Sequence, residues 1–326
     1  MSVLFNALKR KGLQALLATF ALASTCALAQ TGSIKLMVGF PAGGGSDAIA
    51  RVLGEQLSQV LSTPIIIENR AGAGGQIAAQ ALKAAPPDGS VLFLSHDHTI
   101  SILPLISNTA GFNPSKDFVP VAGFASFANG IALSGDAPQA TLESFMQSVR
   151  DKQDGKTAIG VPAPQSVPEF LVKVLATHYK LDLVSVPYRG SAPMIADMLG
   201  KQIPAGVASV PDFIEFQKAR KLRMVAVMGA KRQDVMPDTP TFAELGIKGF
   251  EELPYYGIFA PAGTPTVTIE RYSDALKKVL EMPQVQQRLI SLGLSVDFMT
   301  SQTLAQREQA YSKNWARIIA ANALAR

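Results

Sequence analysis

From Ser33 onward, short apolar runs alternate with stretches in which apolar residues recur every three to four positions. The run "IKLMVGF" reads as a buried strand, and Ile49, Leu53, Leu57 and Val60 then share one face of a helix from about Asp47 to Leu61. "PIIIENR" follows as a strand, "GGQIAAQALKAA" as a helix and "SVLFLS" as a third strand. This βαβαβ opening predicts a parallel sheet with right-handed crossovers. A second unit begins in mid-chain, with "KTAIGV", "LDLVSVPY" and "IPAGVAS" as strands and "SVPEFLVKVLATHY" and "SAPMIADMLGKQ" as helices; "DFIEFQKARK" and "LRMVAVMG" continue it. Between the units, "FVPVAGFASFANGIALSG" lacks helical period and reads as extended chain passing between lobes, and "GFEELPYYGIFAPAGTP" reads as the return. Helices are expected again over 267–280 and 304–323. The pattern predicts an α/β protein with a discontinuous first domain, 30–130 with 253–326, and a second domain, 131–252, inserted between two crossings.

The first 29 residues stand apart from this pattern. Lys9, Arg10 and Lys11 precede the apolar run "LQALLATFALASTCALA", which ends in the small residues Ala27 and Ala29 around Leu28. That is the make-up of a secretory signal peptide, cut before Gln30, and it is short for a retained membrane anchor, which needs about 20 apolar residues. The signal holds three of the chain's five net positive charges and its single cysteine, Cys26. The exported chain is therefore close to neutral, with no basic footprint for nucleic acid and no thiol for a disulfide, a metal or a nucleophile.

Candidate chemistry gathers where strands give way to helices. In "GFPAGGGSDAIA", Gly43, Gly45 and Ala48 satisfy the spacing of a dinucleotide loop, and Glu68 ends the next strand. The lead-in through Pro41 is longer than a tight dinucleotide turn, and export leads away from the cytoplasmic nicotinamide pool. Three adjacent glycines, Gly43, Gly44 and Gly45, instead present bare backbone N–H groups at a helix N-terminus, which suits a small anion; Ser46 adds a neutral donor and Asp47 a helix cap. "ENRAGAGG" repeats the arrangement one unit later, with Glu68 and Arg70 as a solvated pair. "SHDHTIS" follows the third strand and opens on the same edge, placing His96, Asp97, His98 and Thr99 as polar lining. Around His96 and His98 no further ligand cluster completes a metal site.

In the second unit, "GVPAPQSVPEF" is a stiff loop containing Pro162, Ala163, Pro164 and Ser166, the last a candidate N-cap. "VPYRGSAPM" supplies Tyr188, Arg189, Gly190 and Ser191, an aromatic wall with a guanidinium and small donors. No G-x-S-x-G elbow, triad, thiol or metal cluster is found, so no catalytic residue, cofactor or metal is expected.

With these motifs in this order, the chain resembles the Bug-type extracytoplasmic solute receptors of tripartite tricarboxylate transporters. The resemblance spans nearly all of the exported chain and is carried by "FPAGGGSDAIARVL", "ENRAGAGGQIAAQALKAAPPDGSVLF", "NPSKDFVPV", "VPYRGSAPMIADMLGKQI", "RMVAVMGAKRQDVMPDTPTFAELGI" and "YYGIFAPAGTP". It implies a periplasmic-binding-protein fold, two α/β domains joined by crossing strands with the ligand in the cleft. It implies a monomer that captures a small organic acid in the periplasm by hinge closure and delivers it to membrane transporter subunits. One ligand carboxylate is then expected at Pro41 to Asp47 and the "SHDHT" loop, partly through water. Pro162 to Ser166, Tyr188 to Ser191 and Ser209 would close from the other domain. Many relatives carry a glycine- and serine-rich loop where this chain has "GVPAPQSVPEF", which favours a less polar far end of the ligand. The alternatives are an exported α/β enzyme acting on a carboxylic acid and a ligand-sensing partner of a signalling protein.

Overall fold

The computed structural model describes residues 32–152 and 156–321; the signal segment and Cys26 lie outside them. The chain enters with β1 (Ile34–Val38), α1 (Gly45–Leu61), β2 (Ile65–Asn69), α2 (Gln76–Lys83), β3 (Val91–His96) and β4 (Phe118–Phe127). Ala128 alone separates β4 from β5 (Asn129–Ser134). Next come α3 (Leu142–Arg150), β6 (Lys156–Val161), α4 (Val167–Tyr179), β7 (Asp182–Pro187), α5 (Ser191–Leu199), β8 (Ala205–Ser209), α6 (Val210–Lys218) and β9 (Leu222–Val227). The chain returns through β10 (Tyr255–Pro261) and finishes with α7 (Thr266–Leu280), α8 (Pro283–Ser291), β11 (Leu294–Met299) and α9 (Ser301–Ala321).

Two sheets result. The first has the order β11-β4-β10-β3-β1-β2 and the second β7-β6-β8-β5-β9; the chain around each is called a lobe below. Strands β1, β2 and β3 pair in parallel, as do β6, β7 and β8, matching the crossovers read from the periodicity. The sheets are nevertheless mixed. Strand β10 runs antiparallel to both β3 and β4, and β5 runs antiparallel to both β8 and β9. The cause is the crossing itself, because a strand arriving from the other lobe enters against the direction of its neighbours. Main-chain bonds pin the crossing point: Phe127 N–H donates to Pro254, Val210 N–H to Ala128 and Met228 N–H to Asn129.

Periodicity explains the packing. Ile49, Leu53 and Leu57 are buried on α1 as expected, and Val60 is half-buried at its end. Helix α1 lies so close to β2 that a Cβ on Gly54 would stand 2.9 Å from Ile67 Cδ1. Among the elements named above, α3, with Leu142, Phe145, Met146 and Val149 on one buried face, α8 and β11 add to the expected set. Helix α9 buries Leu304, Tyr311 and Trp315, and Trp315 meets Phe170 of α4 edge-on, with 5.7 Å between centroids.

The parallel topology brings the carboxyl ends of β1, β2 and β3 to one edge and those of β6, β7 and β8 to another. Every loop singled out in the sequence lies on one of these edges. Truncating the fully buried Leu53 to alanine is expected to cost about 2–5 kcal/mol, read as a lowered thermal midpoint with the native circular-dichroism spectrum retained.

Candidate functional site

A cavity with an empty volume of about 540 Å³ lies where the two edges meet. The first lobe contributes Phe40, Gly44, Gly45, Ser46, His96, Asp97, His98, Phe127 and Tyr256, and the second Asn129, Pro162, Ala163, Ser166, Val167, Pro168, Ser191, Ser209 and Asp212. None of these is lysine or arginine, and two are carboxylic acids. A neighbouring space on the same side is lined by Pro41, Pro162, Pro164, Tyr188, Arg189 and Gly190 with Gly72, Ala73 and Gly74. The expected residues thus divide between two adjoining spaces, and Gly43, Asp47 and Thr99 line neither.

Helix α1 starts two residues earlier than the apolar stripe implies. Gly44 is its N-cap and Asp47 lies in its first turn rather than at the cap. The Asp47 carboxylate accepts from Gly43 N–H at 3.0 Å, Asn69 Nδ2 at 3.1 Å and Arg51 at 3.0 Å. Burial alone would raise its pKa, but these donors hold it below the usual carboxylate value. Asp47 therefore braces the loop and does not line the cavity. The three glycine amides are also engaged: Gly43 with Asp47, Gly44 with the Pro41 carbonyl at 3.4 Å, and Gly45 with Asp212 Oδ1 at 2.8 Å. Helix geometry leaves the next N–H, that of Ser46, without an intrahelical acceptor. The Ser46 hydroxyl pairs with the buried Tyr256 hydroxyl at 3.1 Å. Burial, with the Asp212 charge behind it, pushes the Tyr256 pKa upward and keeps the phenol neutral.

The segment after β3 is helical, not extended: residues His98–Ile102 form a wide π turn running into Leu103–Ile106. That curvature lets His96, Asp97 and His98 all reach the cavity, where an extended chain would have turned Asp97 away from the two histidines. The His96 ring stacks on Phe40 at 4.9 Å and meets Tyr256 and Phe127 edge-on. Asp97 Oδ1 lies 3.2 Å from His96 Nδ1, and Oδ2 accepts the Tyr311 hydroxyl at 2.9 Å. Thr99 donates to the Gly74 carbonyl at 2.8 Å. The second glycine loop has its explanation here, since a Cβ on Gly74 would strike His98 Nε2 and one on Gly75 would strike Thr99 Oγ1, each at 2.4 Å, and both glycines have positive φ. Both ring nitrogens of His98 are buried without a partner. Burial, aided by His96, pushes the His98 pKa down to about 4, so the imidazole is neutral at pH 7.

Across the cleft, Ser166 caps α4, donating to the Ala163 carbonyl at 2.7 Å and accepting from Glu169 N–H at 3.3 Å. Ser191 and Ser209 both donate to Asp212, each at 2.5 Å. The Tyr188 hydroxyl donates to Asp197 at 2.6 Å, and burial and that carboxylate push its pKa up to about 12. Arg189 is exposed. Gly190, with φ +105, lets Pro41 of the first lobe approach to where a Cβ would stand 2.4 Å from its Cδ. Phe40, Phe127, Asn129, Tyr256 and Asp212 complete the lining without a motif of their own; for Asp212 the only local signal is its place three residues after Ser209, as in a capping box. Among the described residues no group of three or more His, Cys, Asp or Glu is placed to hold a metal, and no helix is long and apolar enough to cross a membrane.

The family model described as "Tripartite tricarboxylate transporter family receptor" matches residues 49–324. The chain belongs to this receptor family. A Cupriavidus necator relative, "UPF0065 protein in gbd 5'region", is 30% identical over 302 residues, 91% of each chain. The solved periplasmic binding protein BugD aligns with a TM-score of 0.84 at 27% identity, over 90% of this chain and 98% of its own. MatC of Rhodopseudomonas palustris, solved with bound malate, aligns with a TM-score of 0.81 at 27% identity over 88% and 98%. The family members are periplasmic solute receptors of a tripartite transporter and not enzymes.

The neutral, buried His98 has a consequence for stability. Its folded pKa lies below the unfolded value near 6.5, so the unfolded chain takes up the proton first as pH falls. Its contribution is fully present above about pH 6.5 and is lost between there and pH 4, by roughly 3 kcal/mol. Thermal melts across this window are expected to fall less steeply for His98→Leu than for the unaltered protein.

Proposed function

We propose that this chain is exported through the segment 1–29 and works as a monomeric receptor, enclosing a small carboxylated solute between its lobes and presenting it to the membrane subunits of a tripartite transporter. The observation that carries this reading is the cavity formed by the carboxyl-end loops of both sheets, in which each lobe supplies about half of the lining. A solute in that space touches both lobes only when they are closed, so it favours the closed state by the contacts it gains there. Malate in the related MatC supports a carboxylate as the recognised group. Without a lysine or arginine in the cavity, the ligand carboxylate is held by neutral donors: the N–H at the start of α1, with the partial positive charge of the helix end, the Asn129 amide and hydroxyls. Asn129 is buried at the first residue of β5, beside the crossing. The proline-bearing loop Pro162 to Ser166 and the rings of Phe40 and Phe127 give the rest of the space an apolar character.

Closure requires glycine at position 45. A Cβ there would stand 2.9 Å from Pro211 Cβ and 3.0 Å from the Pro211 carbonyl carbon in the opposite lobe. Thermal-shift screening against mono- and dicarboxylates, amino acids and aromatic acids is expected to show a carboxylate at 100 times its dissociation constant stabilising the protein by about 2.7 kcal/mol. Gly45→Val is expected to weaken that ligand by about 100-fold or more while leaving the unliganded protein folded. A midpoint that responds to neutral compounds and to no carboxylate would refute the assignment.

A further inference from the structure

The carboxylate of Asp212, on α6 of the second lobe, sits on the first turn of α1 in the first. Its Oδ1 accepts Gly45 N–H at 2.8 Å and the Ser191 hydroxyl at 2.5 Å, while Oδ2 accepts the Ser209 N–H at 3.3 Å and hydroxyl at 2.5 Å. Four donors converge on one side chain, and one of them comes from the other lobe, 167 residues away in sequence. The second-lobe donors hold the carboxylate in place whether or not the lobes meet; only the Gly45 bond depends on closure. Gly44 adds to the fit, since a Cβ on it would stand 3.0 Å from Ser191 Oγ and 3.7 Å from Asp212 Oδ1. The helix end that suits a solute's carboxylate is thus partly taken by a carboxylate of the protein itself.

The remaining lining is consistent with a resident anion. Asp97, buried where Asp212 is half-buried, is a second acid on the cavity wall, and no cation among the lining residues balances either. A ligand with a carboxylate at each end would bring one of them up to Asp212, where like charges repel with no lysine or arginine to offset them. A ligand with one carboxylate meets no such conflict. Its anion has the Ser46 N–H, the Asn129 amide and the buried, unpartnered imidazole of His98, and its other end meets an acceptor in Asp212.

We propose that Asp212 is the resident anion of the α1 N-terminus: it latches the two lobes in the absence of solute, and it makes the receptor select acids that present a hydrogen-bond donor to it over diacids of the same length. The selectivity rests on the reading of the chain as a carboxylate receptor; the latch stands without any ligand. The two are therefore measured separately. Small-angle scattering of the ligand-free protein reads the latch, with Asp212→Ala removing the acceptor and Asp212→Asn keeping its shape without the charge. The radius of gyration is expected to be smallest for the unaltered protein and to rise in Asp212→Ala, with Asp212→Asn between them. Circular dichroism checks that each variant keeps its secondary structure, and Asp212→Asn decides the matter if Asp212→Ala does not fold.

Calorimetric titration with succinate, succinamate and 4-hydroxybutanoate reads the selectivity. The unaltered protein is expected to bind the amide or the alcohol at least about tenfold more tightly than the diacid, and Asp212→Asn to shrink that ratio to about threefold or less. Equal radii for the unaltered protein and Asp212→Asn, or a diacid disfavoured equally by both, overturn the proposal. If the radii differ as expected while none of the three acids binds, the latch is supported and the carboxylate reading of the cleft fails instead.

Discussion

The strand that leaves the first sheet is the strand that enters the second, with only Ala128 between β4 and β5. Everything functional in the molecule depends on that junction. Phe127 on one side of it and Asn129 on the other both line the cavity, and the main-chain bonds from Phe127, Val210 and Met228 hold the crossing to both lobes at once. Ala128 itself is fully buried. Because β4 and β5 are each paired on both sides within their sheets, the two carboxyl-end edges are brought face to face by the backbone itself and not by surface contacts.

On that frame the cleft is assembled from neutral parts. Its polar groups are mostly occupied with one another: Ser46 with Tyr256, Asp97 with His96 and Tyr311, Ser191 and Ser209 with Asp212, Ser166 with its own loop. Such satisfaction holds each group in one orientation before a ligand arrives, so little ordering remains to oppose binding. His98 is one exception. Its ring is fixed by the close approach of Gly74 rather than by hydrogen bonds, which leaves an oriented imidazole with nothing yet to pair with.

Much of this was legible along the chain because it is local. The apolar stripe of α1, the strands flanking it and the glycine-rich turns depend on neighbours within a few residues, and so does the placing of His96, Asp97, Pro162, Ala163, Ser191 and Ser209 on strand ends. Helix α3 carries an equally clear stripe from Leu142 to Val149. What was not legible is what depends on distance. The antiparallel course of β5 and β10 follows from a crossing whose partners are far apart in sequence. The engagement of Gly45 with Asp212 joins residues on different lobes, and a sequence motif shows a free helix end without showing what already sits on it. The curl of the backbone at His98 is set by packing beneath α9, through Tyr311 on Asp97 and the Tyr255 hydroxyl on Ser101 at 2.7 Å.

The position of Trp315 has a practical side. It is the single tryptophan of the chain, it belongs to the C-terminal helix, and its indole rests edge-on against Phe170 of α4 in the other lobe. Any relative movement of the lobes changes the surroundings of that one chromophore, so the emission of the unlabelled protein is a built-in optical gauge of how far the cleft has opened.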